Sequence, residues 1–267
     1  MFRTFHSKDR ASKAIKPSKK SFREHTKLKL QQKLDSPGSP STMVSPIVTL
    51  LVGPDQRVFA AHEDVLSSSP FFATNLKSQF FDGAPKKVAL PDEVPEIFSC
   101  VLEYLYKGDY YPRLLHNKRH NSFTLEDAYD PLNLGGRGSV ESTIYHPWAG
   151  GDLLKDTAIY CAAEKFGLEE LKRLALRKQG LQSGIPVEVI LRSARFAYEN
   201  TPDTDNRLRA YYLALIIRSR KIFKRSGTMQ MEMEMGGSRL FFDLFVAMCQ
   251  HVDDVVEIAN KSSPRTI

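Results

Sequence analysis

Cysteine is scarce in this chain, with three in 267 residues. Cys100, Cys161 and Cys249 lie far apart inside helix-like apolar patterns, so neither a disulfide framework nor a zinc-ligand spacing can be built from them. Long apolar runs are lacking too. The longest, such as Tyr211 to Ile217, fall far below the ~18 residues of a membrane-spanning helix. The expectation is a soluble protein of a reducing compartment, nuclear or cytoplasmic, with no membrane contact. The N-terminus has no apolar stretch of the kind a secretory leader carries, and Asp9 with an excess of Lys over Arg departs from a transit peptide. Catalytic signatures are missing as well: there is no Gly-x-Ser-x-Gly elbow, no Cys-x-x-Cys pair and no His-Glu-x-x-His. Isolated Ser, His and Asp residues are no evidence for a triad. No catalysis, cofactor or metal is expected.

The net charge of +7 suggests a nucleic-acid binder until it is divided along the chain. Residues 1–46 hold eleven Lys/Arg against three Asp/Glu, a balance of +8, whereas the remaining 221 hold 27 against 28, a balance of −1. The first segment contains Ser-Pro-Gly-Ser-Pro at Ser36 to Pro40 and too little apolar periodicity to offset the entropy of ordering. Residues 1–45 therefore read as a disordered basic tail. Within it Lys16, Lys19, Lys20, Lys27 and Lys29 are candidate contacts for phosphates or for a nuclear-import receptor. With only Phe2, Phe5 and Phe22 for base stacking, a solvated or import arm is favoured over nucleic-acid binding. Ser36, Ser39 and Ser45 each precede Pro, and their phosphorylation would cancel part of the charge.

Past the tail, Val48 to Val52 is a β-rich run, Gly53-Pro54-Asp55-Gln56 is a turn cluster, and Arg57 to Ala61 resumes the run, which predicts a hairpin. Helical spacing follows His62, with Ser-Ser-Ser-Pro punctuation and then Phe72, Leu76 and Phe80 four apart. Lys87 to Leu90 reads as a short strand. Val94, Ile97, Phe98, Val101, Leu102 and Leu105 then form the stripe of an amphipathic helix ended by Gly108. Further helical patterns cover Leu153–Phe166, Leu168–Arg177 and three later stripes, around Val187–Ala194, Leu208–Leu215 and Leu240–Met248.

Residues 109–151 break this rhythm with His, Asn, Pro and Gly, and read as a long insertion loop. His116 and His120 are four apart, but no Glu or Cys joins them, so a solvated loop is preferred to a zinc site. Gly135-Gly136-Arg137-Gly138 neither follows a strand nor precedes Lys-Ser/Thr, which argues against a phosphate cradle. Met229 to Met235 alternates Met with polar residues before Gly236-Gly237 and is expected to be a loop.

Several of these patterns occur in an order that resembles a BTB/POZ domain. They are Phe59-Ala60-Ala61-His62, Val65-Leu66-Ser67-Ser68-Ser69-Pro70-Phe71-Phe72, Tyr104-Leu105-Tyr106-Lys107-Gly108, and Tyr160 to Leu171 with its Ala163-Glu164-Lys165-Phe166-Gly167 turn. Ala197 to Pro202 followed by Arg207-Leu208-Arg209 is similar to the helical extension of filamentous-fungal members. The resemblance implies an α+β fold, a small sheet flanked by helices over 46–178, then an all-α extension over 179–260; residues 261–267 are expected to be a disordered end. It implies binding to other proteins without chemistry, and a structural imidazole at His62 that holds the start of the following helix. Many members self-associate through a charged pair; Ile47 and Glu63 occupy those two positions here, which weakens the expectation of a homodimer. Members also engage cullin scaffolds through a hydrophobic-x-Glu segment, matched by Phe80-Phe81-Asp82 with an acid one methylene shorter. The function expected is a protein–protein interaction module. A cullin-ligase substrate adaptor, or a DNA-associated regulator using the basic tail, are its alternatives.

Overall fold

The computed structural model describes residues 45–78, 86–126 and 141–262. Strand β1 (Ile47–Val52) turns at Gly53, whose φ of +77° is open to glycine, and pairs antiparallel with β2 (Arg57–His62), Ile47 opposite His62 and Val52 opposite Arg57. β3 (Lys87–Leu90) runs parallel to β1 on its other edge, giving the order β2-β1-β3. The period-two alternation buries Val48, Leu50 and Val52 together. The predicted hairpin and short strand are thus both present.

Helices α1 (Glu63–Leu66), α2 (Pro70–Ser78) and α3 (Pro95–Lys107) cover this sheet. Pro95 starts α3, where its missing N–H costs nothing. Gly108 ends it in the left-handed conformation and donates its N–H to the Tyr104 carbonyl. Of the predicted stripe, Val94, Ile97, Phe98 and Val101 are buried. Phe98 meets Phe72 and Phe166, and the last two stack with ring centroids 5.1 Å apart.

Phe166 closes α4 (Lys155–Phe166), which turns at Gly167 into α5 (Glu169–Gln179). Gly167 has φ +69°, and a Cβ there would lie 3.2 Å from the Pro70 ring. Ser69 is buried because its hydroxyl donates to the Phe166 carbonyl at 2.6 Å. Ser-Pro punctuation and the glycine turn, distant in sequence, are one joint.

The segment expected as an insertion loop carries two antiparallel hairpins. β4 (Leu114–Asn117) pairs with β5 (Ser122–Leu125), and β6 (Thr143–His146) pairs with β7 (Gly151–Leu154) around a 3₁₀ turn at Pro147–Ala149. β4 is mostly solvent-facing, and β5 half-buries only Phe123 and Leu125, an alternation too short to announce a strand. A cross-strand stack of His116 on Phe123, centroids 4.5 Å apart, capped by the Arg177 guanidinium, fixes their register instead. Leu153, expected to be helical, is a buried residue of β7.

The chain continues as α6 (Val187–Asn200), α7 (Arg207–Arg218), α8 (Arg220–Phe223), α9 (Gly227–Met235) and α10 (Arg239–Ser262). α9 overturns the loop expected at Met229–Met235. Met, Gln and Glu are good helix formers, and Ser226 caps the first turn by accepting from the Met229 N–H. A single hydrophobic core reaches from Val48 through Phe98 and Ile159 to Ala194, Tyr212 and Leu240. A smaller cluster of Leu191, Ile216, Phe223 and Leu244 seats α8 and α10.

Candidate protein-interaction surfaces

The corner between β2 and α1 holds the positions at which partner choice was expected to be written. Ile47 opens β1 and is largely exposed. Glu63 is already engaged: its carboxylate takes a 2.6 Å ion pair from Lys86, with both side chains mostly covered. His62 does not hold the helix as expected, because its side chain makes no capping hydrogen bond. Its backbone N–H donates to the Tyr106 hydroxyl at 2.9 Å, and its Nδ1 lies 2.7 Å from the same oxygen. The imidazole therefore ties β2 to the end of α3. The start of α1 is held by backbone and serine, Glu63 N–H to the Pro46 carbonyl and Asp64 N–H to the Ser45 hydroxyl.

Residues 48–128 match the family model of the BTB/POZ domain. The chain carries a BTB/POZ domain. BTB/POZ domains are protein-interaction modules, and in this one the Tyr104-Leu105-Tyr106 segment supplies the hydroxyl that anchors the corner. No curated protein matches the chain.

Buried cations join the BTB/POZ fold to the helices that follow. Lys178, at the end of α5, is fully buried and donates to Asp109 and to the carbonyls of Tyr110 and Pro112, its ammonium over the Tyr110 ring. Burial outweighs these contacts and pushes its pKa down. Tyr110 in turn donates to Asp156 at 2.7 Å; burial pushes the pKa of both upward. On the other side of α5, Lys172 pairs with Glu164, with Glu169 at 2.9 Å, and with Asp205 at 2.5 Å. Asp205 lies between α6 and α7 and also accepts from Tyr160 at 2.7 Å. Thr157 of α4 completes the joint through Gln179 and Tyr212. Sequence reasoning missed Lys172 and Lys178, since a lysine inside a helical pattern reads as solvated.

Burial pushes the Cys161 thiol far up and the Cys100 thiol up to about 11, the reverse of what a nucleophile needs. His116 lies on strand β4 with its Nε2 at 3.2 Å from the Asn121 amide oxygen, and His120 lies in the turn, so the two do not share a helical face. Among the described residues no group of three metal-capable side chains comes together, and no helix is long and apolar enough to cross a membrane.

The most exposed apolar surface belongs to α10. Leu240 and Leu244 are buried against the body. From Cys249 to Lys261 every residue except His251 is exposed, including Val252, Val255, Val256 and Ile258. Phe242 and Phe245 extend this surface toward the body, two-thirds exposed each. The stripe Leu240, Leu244, Phe245, Met248 was legible in the sequence; its continuation to Ile258 has the same spacing and was missed. Phe80, Phe81 and Asp82 lie outside the described residues, as do Lys16, Lys19, Lys20, Lys27 and Lys29.

Proposed function

We propose that this chain is a non-enzymatic recruiting module in which the BTB/POZ fold is the rigid base and the outer half of α10 is the partner-binding helix. The observation that carries this reading is the exposed run Val252, Val255, Val256 and Ile258. A helix of about 14 residues is marginal on its own in water, and an apolar face of this kind is stabilised by docking into a groove. Asp253, Asp254 and Glu257 flank the valines, while Lys261 is committed to Glu257 at 2.6 Å. The fitting occupant is an apolar groove on another protein, rimmed by Lys or Arg. Within this function the cullin-adaptor role is the finer reading, supported by the Phe80-Phe81-Asp82 segment that follows α2.

The test compares the full chain with Val252→Lys/Val255→Lys, by affinity purification from the native host and by light scattering. The expected result is a stoichiometric protein partner held by the wild type and lost by the variant, with circular dichroism unchanged. Partners that the variant retains in full would remove α10 from the interface. A wild-type dimer that the variant dissolves would make the occupant a second copy.

A further inference from the structure

A cleft of about 550 Å³ opens between the residues leading into α3, the 3₁₀ turn after β6, α4 and the end of α6. Four carboxylates line it, Asp92, Glu93, Glu164 and Glu199, against one cation, Lys165. Lys165 is spent on Glu93 at 2.6 Å, and Glu164 is engaged by Lys172. Asp92 and Glu199 are exposed and have no ion-pair partner among the described residues. Two negative charges at the cleft are thus left unneutralised.

The remaining walls are aromatic. Trp148 projects from the 3₁₀ turn with 62% of its surface exposed, held there by a turn that Gly150 closes at φ +65°. Phe196 of α6 packs edge-on against His146, ring centroids 4.6 Å apart. His146 lines the cleft and is more than nine-tenths buried, yet its Nδ1 has no hydrogen-bond partner among the described residues. Burial also pushes its pKa down, which favours the neutral ring with one nitrogen free to accept. A buried ring nitrogen left unsatisfied is a costly feature beside this cleft.

We propose that this cleft binds a cationic side chain, arginine above all, presented by a basic segment of a partner protein. A guanidinium is planar and stacks on an indole face such as that of Trp148. Its five N–H donors, set in a fixed fork, suit a cleft lined by more than one carboxylate, which a lysine ammonium meets with poorer geometry. The cleft is separate from α10, so the two surfaces accept different features of a partner.

Trp148 is the single tryptophan of the chain, so its emission reports on the cleft directly. The full chain is titrated with acetylated, amidated Ala-Arg-Ala, with the lysine counterpart, and with the citrulline counterpart, which keeps the shape and loses the charge. The arginine peptide produces a saturable change in emission, the lysine peptide binds about tenfold more weakly, and the citrulline peptide gives none. Asp92→Asn/Glu199→Gln, both exposed and neutral to folding, weakens the arginine peptide about tenfold or more, whereas Val252→Lys/Val255→Lys leaves it unchanged. A citrulline peptide that titrates like arginine, no saturable response to either cationic peptide, or unchanged affinity in the Asp92/Glu199 variant each overturns the proposal. Equal affinity for lysine and arginine overturns the guanidinium preference alone.

Discussion

Lys172→Met keeps the aliphatic stem of a side chain that is 2% exposed and deletes only its ammonium. The wild-type ammonium neutralises Asp205 and contacts Glu164 and Glu169. Removing one member of a buried ion pair costs about 3–5 kcal/mol, because the partner charge is left unpaired. Here the lower end applies. Glu164 and Glu169 keep 26% and 56% of their side chains in solvent, and Arg207 still reaches Asp205 at 3.1 Å. A loss of about 3 kcal/mol corresponds to a fall in Tm of roughly 6–12 °C for a chain of this size. Thermal melts followed by circular dichroism measure it. Lys172→Met/Asp205→Asn removes both charges, so it should be less destabilised than the sum of the single variants by about 1–3 kcal/mol. The pH dependence is a second readout. Burial alone would raise Asp205, but hydrogen bonds from Lys172, Tyr160 and Arg207 outweigh it and hold its carboxyl well below the usual range. A depressed carboxylate stabilises the fold above its unfolded value of about 3.9, and that contribution is lost as pH falls through the folded value. Wild type should therefore lose stability more steeply below about pH 4 than Asp205→Asn. A Tm fall under about 2 °C for Lys172→Met, or strictly additive variants, would refute the reasoning.

Gly167→Ala should cost about 1–3 kcal/mol, because it places a Cβ in the left-handed region and against the Pro70 ring; urea denaturation checks it. Tyr106→Phe removes the one hydroxyl shared by the His62 N–H and imidazole, and should lower stability by about 1–2 kcal/mol in the same assay. Val58→Thr, on an exposed strand position, should change stability by less than about 0.5 kcal/mol. Pull-down with a cullin N-terminal domain should retain wild type and lose Phe80→Ala/Asp82→Lys; equal binding by both removes the adaptor role.

Much of the fold was legible because its signals are local. Val48 to Val52 alternates, Gly53-Pro54-Asp55 turns, and the stripe from Val94 to Val101 ends at Gly108, so each element announces itself within a few residues. The hairpin of β4 and β5 was not legible, since β4 buries no regular face, β5 half-buries only two residues, and their register rests on His116, Phe123 and Arg177. Helix α9 was missed because its Met and Glu residues alternate with period two while their intrinsic preference is helical. The two proposed surfaces divide the same way. The apolar spacing of α10 was visible in part, whereas the cleft assembles Asp92, Trp148 and Glu199 from three separated segments, and no spacing connects them.

Ser69, Pro70, Phe166 and Gly167 meet at one joint, and Lys172 and Lys178 sit on the helix that leaves it. A chain cut after Lys178 would lose Asp205, Gln179 and Tyr212, stranding the Tyr160 and Thr157 hydroxyls. The cooperative unit is consequently larger than the span that matches the family. Replacing everything past α5 would remove partners that the Tyr160 and Thr157 hydroxyls need, whatever helix took the place of α10. Substitutions confined to the exposed half of α10 leave that joint intact, because only its root at Leu240 belongs to the core.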